Sequence, residues 1–308
     1  MDRNLKLFLS VVLLSFPFWM FCNFFQGKVS DFFYQREFAK RPLITPALTA
    51  NISLPKKQCD LENITPESYL SFKKGKVLFE KEMEEQVPIA SLTKLMTAVI
   101  ASEFYSGTER VLISEKAVNQ TSHNGFLRQG EVLSLRDLLK VMLIESSNDA
   151  AYSLADLMTE QAFVDLMNLK AEELNLDNTF FYNATGIDPE DLKRPKNQIN
   201  LSTAHDLAKL TQYILENHPE IIEILSEKKT DLYLDNGIYH HTLENTNELL
   251  GEDKRIIAGK TGFTERAGQC LLIIIKDKGF IINTVLGSED RFQDMTELIN
   301  CSLPFNSL

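Results

Sequence analysis

Ala267–Gly287 reads AGQCLLIIIKDKGFIINTVLG. Two apolar, β-branched runs flank Lys276-Asp277-Lys278-Gly279, the pattern of two strands joined by a short turn. A lone pair of strands is at best marginally stable, so this pair needs further strands and a covering layer. Both are available far upstream. SYLSF and KVLFE flank Lys73-Lys74-Gly75 and read as a hairpin. Between the two ends the chain is mostly helical. Apolar helices are expected from about Ser91, over Leu135–Ile144, Asp149–Met158 and Gln161–Leu174, and after Ser202, which reads as an N-cap. After about residue 228 the pattern turns strand-like, with Arg255–Ala258 (RIIA) a candidate strand and Asp290–Asn300 a closing helix. The fold class is therefore α+β. The two chain ends share one antiparallel sheet flanked by helices, a mostly helical insert forms a second lobe, and a cleft between them is the place for a site.

The bulk numbers narrow the function. A chain of 308 residues holds one large domain or two small ones. Net charge is −11, which argues against nucleic acid as a partner, because phosphate binding needs clustered Lys and Arg. No block of five like charges, internal repeat or low-complexity segment occurs.

The N-terminus stands apart from the fold. Leu7–Phe25 carries no charge over 19 residues, long enough to span a bilayer as a helix. No small-residue cleavage site follows it, so it reads as an uncleaved transmembrane signal anchor behind a cytoplasmic tail, residues 1–6. Lys28, Arg36, Lys40 and Arg41 beyond it outnumber Arg3 and Lys6 before it, so charge does not set the orientation. Residues 26–66, broken by Pro42, Pro46, Pro55 and Pro66, read as a stalk, and residues 67–308 as the catalytic domain. Of four cysteines, Cys22 lies in the anchor and Cys270 in an apolar run. Cys59 and Cys301 flank the globular region and are either a disulfide stapling its ends or two unrelated thiols.

Pro88–Ala98 (PIASLTKLMTA) carries the chemistry. Ser91 and Lys94 sit three apart at the start of a helix that is apolar nearly all round, so they share a face. The same spacing recurs at Ser53–Lys56, Ser71–Lys74 and Ser226–Lys229, but not in such a setting. Burial lowers the pKa of Lys and can make it a base beside the Ser91 hydroxyl, and the helix start favours an oxyanion there. The alternative is a surface lysine lying along core residues. Two further motifs weigh against that. Ser146-Ser147-Asn148 places a hydroxyl and an amide at a helix junction, and Lys260-Thr261-Gly262 follows the RIIA strand. (Ser122-His123-Asn124 repeats the former pattern in a polar loop.) The three in this order form a signature of serine acyl-transfer enzymes. None of the five histidines lies in H-E-x-x-H, and His240 and His241 are expected on opposite sides of a strand, which argues against a zinc peptidase. No G-x-S-x-G occurs.

On these residues the chain resembles the serine D-alanyl-D-alanine carboxypeptidases among the low-molecular-mass penicillin-binding proteins, with their serine β-lactamase/transpeptidase-like fold. The likeness covers roughly Pro66–Phe305 and extends through GKVLFEKEMEEQVPIASLTKLMTA, SLRDLLKVMLIESSNDAAYSLAD, LNLDNTFFYNATGID and IIAGKTGFTERAGQCLLI. It departs from the family at Ser147, where glycine is usual and no chemistry is done. The resemblance implies that Ser91 is the acyl-forming nucleophile and Lys94 its base. Ser146 and Lys260 would relay a proton to the leaving group, and Asn148 would orient the substrate backbone. Thr261 would meet the terminal carboxylate beside Gly262, and the N–H groups of Ser91 and Phe263 would form the oxyanion hole. Arg291 aligns with a basic residue that assists with the carboxylate, or is merely a surface arginine at a helix start. No cofactor or metal is implied. The implied partners are peptidoglycan stem peptides ending in D-Ala-D-Ala, β-lactams as acylating inhibitors, and the membrane through the N-terminal helix, with the catalytic domain extracytoplasmic. With only a short tail after the closing helix, membrane attachment is expected to fall to the N-terminal helix, Leu7–Phe25. A D,D-endopeptidase uses the same residues. A class A β-lactamase would need a deacylating glutamate, and Glu190, without the E-x-x-L-N pattern, reads instead as a solvated loop acid. A penicillin sensor without turnover is the non-enzyme alternative.

Overall fold

Lys74 (φ 50°) and Gly75 (φ 77°) both adopt left-handed backbone, as a two-residue type I′ turn requires. In the computed structural model, which describes residues 59, 61–121, 125–189, 198–234 and 236–303, this turn joins β1 (Ser68–Lys73) to β2 (Lys76–Lys81). The chain then runs through β3 (Val87–Pro88), α1 (Lys94–Phe104), β4 (Arg110–Leu112), α2 (Glu115–Val118) and β5 (Val132–Ser134). The helices α3 (Leu135–Ile144), α4 (Asn148–Asp156) and α5 (Glu160–Glu173) follow, then β6 (Leu201–Ser202), α6 (Ala204–Asn217) and α7 (Pro219–Ser226). It closes with β7 (Lys229–Tyr233), β8 (Tyr239–Glu244), β9 (Ile256–Thr264), β10 (Gly268–Lys276), β11 (Phe280–Ser288) and α8 (Arg291–Ser302).

The two chain ends do share one sheet. Its order is β2-β1-β11-β10-β9, antiparallel throughout, with Ser71 opposite Asn283. Both faces are covered, which is why QCLLIII is a continuous apolar run rather than an alternating one. Leu272 and Ile274 join the large core shared with the middle helices; Leu271, Ile273 and Ile275 pack with Met295, Leu298 and Ile299 of α8. Hydroxyl caps set several helix starts: Ser134 accepts from the N–H of Asp137, and Ser147 from that of Ala150.

Three expectations shift. The cap of α6 is Thr203, whose hydroxyl accepts from the N–H of Asp206; Ser202 is instead held in β6 opposite Val87. Lys260-Thr261-Gly262 lies within β9 rather than after a strand, because the apolar run Ile256-Ile257-Ala258 continues to pair through it with β10. His240 and His241 do not face apart. A bulge in the β7–β8 pairing breaks the alternation there, and their Nδ1 atoms lie 2.6 Å apart, with the outer nitrogens facing Glu131 and Glu145.

Cys59 and Cys301 are bonded, with Cα atoms 5.0 Å apart across a sequence separation of 242 residues. Closing so long a loop removes much unfolded-chain entropy. Replacing Cys59 by serine is expected to lower stability by about 2–5 kcal/mol, read as a drop in urea midpoint; reducing agent should reproduce the drop in the native chain and leave the variant unmoved. Cys270 is free and buried. Among the described residues no helix is long and apolar enough to cross a membrane. The expected anchor Leu7–Phe25, residues 26–58 of the expected stalk, Ser122-His123-Asn124 and Glu190 lie outside the described residues.

Candidate active site

Ser91 sits in a single 3₁₀ turn, Ala90–Thr93, that leads directly into α1. Lys94, the first residue of α1, is fully buried. Its Nζ lies 2.8 Å from Ser91 Oγ, 2.8 Å from Asn148 Oδ1 and 2.6 Å from the carbonyl of Thr185. Burial first, and then the positive charge of Lys260, holds Lys94 well below the usual lysine range; Asp149 pulls the other way. A neutral amine has two N–H bonds and one lone pair. With Asn148 and Thr185 accepting two N–H bonds, the amine in its neutral form would keep its lone pair for the hydroxyl proton of Ser91.

Ser146 is held in a left-handed conformation (φ 64°) where α3 turns into α4, an arrangement a non-glycine residue adopts only under outside constraint. The constraint is the next turn of chain. Ser147 caps α4 and donates its hydroxyl to Asp149, whose carboxylate also accepts the N–H groups of Gly125 (2.9 Å) and Leu127 (3.3 Å). Ser147 thus fixes the junction. Ser146 Oγ, so aimed, accepts from Lys260 Nζ at 2.8 Å. Asn148 Nδ2 donates to the carbonyl of Thr121 at 2.9 Å, which ties the second motif to the loop across the cleft.

The third motif lies on β9, the edge strand of the sheet. Lys260 is buried and pushed down to about 7 by desolvation and by Arg291. Thr261 Oγ1 shares a 2.6 Å hydrogen bond with Thr246 Oγ1. Gly262 allows β9 to lie flush on the Ser91 turn: a Cβ there would sit 3.1 Å from both the carbonyl of Ile89 and the nitrogen of Ser91. The open edge of β9, the Ser91 turn and the second motif enclose a cleft of about 850 Å³. Ser91, Ser146, Asn148, Thr261, Gly262 and Phe263 line it, while both lysines stand behind the serines they touch.

Residues 58–290 match the D-alanyl-D-alanine carboxypeptidase family, Peptidase S11. The chain belongs to this family. It is 33% identical over 204 residues to the carboxypeptidase DacF of Bacillus subtilis, a match covering 64% of this chain and 50% of that relative. It is 32% identical over 235 residues to a D-alanyl-D-alanine endopeptidase of Pseudomonas aeruginosa, covering 73% and 72%. The chain thus spans about half the length of the Bacillus relative. Among solved structures, penicillin-binding protein D2 of Listeria monocytogenes in its cefotaxime-bound form is 30% identical with a TM-score of 0.68, over 78% of this chain and 97% of that one. The α+β architecture of a sheet flanked by helices is the fold of these penicillin-binding neighbours.

In this family member Arg291 is no plain surface residue. It opens α8, lines the cleft, and donates from Nη1 to the carbonyl of Gly262 at 3.0 Å. Its charge is one cause of the lowered pKa of Lys260. Residues not singled out from the sequence also matter. Thr185 supplies an acceptor for Lys94, Asp149 braces the second motif, and Gly186, Thr246 and Gln269 line the cleft. A turn signal was present for the first of these: Asn183-Ala-Thr-Gly, where the Asn183 side chain accepts the N–H groups of Thr185 (3.1 Å) and Gly186 (2.7 Å).

Burial of Lys260 has a stability consequence. The amine titrates at about 7 in the folded protein and at 10.5 when solvated. Below pH 7 the unfolded chain holds this proton more tightly, so the cost is complete there; it fades as pH rises from about 7 to about 10.5. Lys260→Met is expected to melt higher than the wild type at pH 6, by about 1–3 kcal/mol, with a smaller gain at pH 9. A variant less stable than the wild type at pH 6 would contradict this.

Proposed function

We propose that this protein is a serine D-alanyl-D-alanine carboxypeptidase that removes the terminal D-alanine from peptidoglycan stem peptides. One observation carries the reading: a fully buried Lys94 amine, depressed first by burial and then by Lys260, that lies 2.8 Å from Ser91 Oγ and contacts Asn148 Oδ1 and the Thr185 carbonyl. An extended peptide lies along the free edge of β9, as peptides add to exposed sheet edges. Ser91 Oγ attacks the carbonyl between the two D-alanines and passes its proton to Lys94. The N–H groups of Ser91 and Phe263 stabilise the oxyanion. The C–N bond then breaks, and the departing amine takes a proton through Ser146 and Lys260. The proton reaching the amine is the one Lys94 took from Ser91, so Lys94 is neutral again; water then attacks the ester carbonyl of the acyl-enzyme and gives a proton to Lys94, the C–O bond to Ser91 breaks, and Lys94 returns that proton to Ser91 Oγ. Thr261 and Arg291 hold the terminal carboxylate. β-Lactams acylate Ser91 by the same first step, and the cefotaxime-bound Listeria relative supports this.

Leu7–Phe25 anchors the protein in the membrane with residues 67–308 on the outer face. The Cys59–Cys301 bond supports this side, since disulfides persist in oxidising compartments. The experiment is turnover by the full chain in detergent of two substrates: a stem pentapeptide ending in D-Ala-D-Ala and a D,D-cross-linked peptide dimer. Release of D-alanine from the first bears out the reading. Cleavage of the dimer alone makes the protein a D,D-endopeptidase, the activity named for the Pseudomonas relative, which the chain matches over more of its length than DacF. Turnover of neither, with stable penicillin labelling, leaves a sensor.

A further inference from the structure

The Thr185 carbonyl that accepts from Lys94 belongs to a turn 91 residues away in sequence. Such a turn keeps its place only if something ties it to the start of α1. One side chain spans the gap. Asn200 stands just before β6, is 5% exposed, and lines no part of the cleft. A carboxamide offers two acceptor and two donor positions, and Asn200 uses all four. Its Oδ1 accepts the N–H groups of Tyr182 (2.7 Å) and Asn183 (3.1 Å). Its Nδ2 donates to the carbonyl of Asn183 (2.9 Å) and to Thr93 Oγ1 (2.8 Å). Thr93 is buried and immediately precedes Lys94. The backbone carbonyl of Asn200 also accepts the N–H of Ile89, just before the Ser91 turn, at 3.4 Å.

Three of the four side-chain contacts hold Tyr182 and Asn183, and the fourth reaches the Ser91 turn. From Asn183 the path to the amine is short. Its own Oδ1 accepts the N–H groups of Thr185 and Gly186 and the Thr185 hydroxyl (3.0 Å), which aims the Thr185 carbonyl at Lys94 Nζ, 2.6 Å away. Thr97 Oγ1 makes a second tie, donating to the Ala184 carbonyl at 2.7 Å, but from further along α1. We infer that Asn200 is a positioning residue for acyl transfer: by pinning the Asn183–Gly186 turn to Thr93, it sets the Thr185 carbonyl against the Lys94 amine. The inference rests on the serine–lysine mechanism above.

A carbonyl bonded to an ammonium group favours its charged form. A displaced Thr185 carbonyl therefore lowers the pH at which Lys94 gives up its proton. The test is the second-order rate of benzylpenicillin acylation by the full chain in detergent, followed across pH and normalised to the active fraction. In Asn200→Ala the plateau rate should fall about tenfold or more. Its acid limb should move to lower pH by about one unit, the worth of a hydrogen bond to a charged group. Thr93→Val removes only the partner at the Ser91 turn and should move both quantities the same way by less. Thr93→Ser keeps the hydroxyl and should recover most of that loss. These variants are neutral and leave Lys260 and Asp149, the charges that act on Lys94, in place, so a moved limb reports the carbonyl. A lower melting temperature with an unmoved limb makes Asn200 merely structural and overturns the inference, as does a wild-type rate in Asn200→Ala. If Asn200→Ala does not fold, Thr93→Val decides by the same two readings. No acylation of the wild-type chain overturns the mechanism itself, and the inference with it.

Discussion

Ser91→Ala is expected to take up no fluorescent penicillin, and Lys94→Ala to take it up about 10²–10⁴-fold more slowly, the usual worth of a positioned base. The two variants separate nucleophile from base. Ser91 alone can form the ester, so its loss removes the adduct itself. Lys94→Ala leaves the hydroxyl and the cleft in place and removes the acceptor 2.8 Å away. Lys94→Arg sharpens the test, because guanidinium keeps a charge and donors but does not deprotonate near neutrality. It should be as slow as Lys94→Ala. Labelling is read by gel fluorescence and located by peptide mass spectrometry, with a thermal melt of each variant, since Lys94→Ala also leaves Asn148 Oδ1 and the Thr185 carbonyl without their shared donor. An adduct on Ser91→Ala at the wild-type rate, or fast labelling of Lys94→Arg, would refute the mechanism.

The second large effect comes from a residue that carries no side chain. Gly186 has φ +84°, and a Cβ there would lie 2.1 Å from the carbonyl oxygen of Ala90, 2.5 Å from its carbon and 3.1 Å from the nitrogen of Ser91. These are backbone atoms, so no rotamer relieves the clash. Either the Asn183–Gly186 turn moves, and the Thr185 carbonyl leaves Lys94, or the Ser91 turn moves, and the nucleophile leaves its position. Gly186→Ala should therefore lose about 100-fold in acylation rate, the cost of about 1 Å of misplacement, and about 1–3 kcal/mol of stability as a β-carbon is forced into a strained conformation. Gly107→Ala is the control: a Cβ there meets nothing within 4 Å, and stability should stay within about 0.5 kcal/mol. A Gly186→Ala protein that acylates at the wild-type rate would show that the turn can yield without moving Ser91 or Lys94.

Local pattern was enough wherever neighbours along the chain make the feature. The hairpin at Lys74-Gly75 needs only a turn type that two positive φ angles satisfy. The strands of Ala267–Gly287 announce themselves by β-branched runs, and Ser91 and Lys94 share a face because both stand at one helix start, three residues apart. Where pattern failed, a neighbour distant in sequence had intervened. Ser202 is a good cap by composition, but pairing with Val87 extends the strand and leaves the role to Thr203. Alternation assigns His240 and His241 to opposite faces, but the bulge against β7 turns them to one another.

By itself the sequence determined the α+β order of elements, the three motifs and the two cysteines available for a staple, because each is written in spacing or residue type. Tertiary structure alone decided what surrounds the serine–lysine pair that the helix setting and the two further motifs had singled out. Four such spacings occur in the chain. Among the described residues, Asn148, 54 residues on, and Thr185, 91 residues on, accept from the Lys94 amine that touches Ser91. Desolvation is set by everything packed around a group, and the charge of Lys260 reaches Lys94 only through the folded cleft. The same holds for Arg291, a surface residue by position in its helix and a wall of the cleft by contact with Gly262. The setting that would make a lysine basic and a serine nucleophilic is therefore a property of the packed domain, although Ser91 and Lys94 were legible from the start.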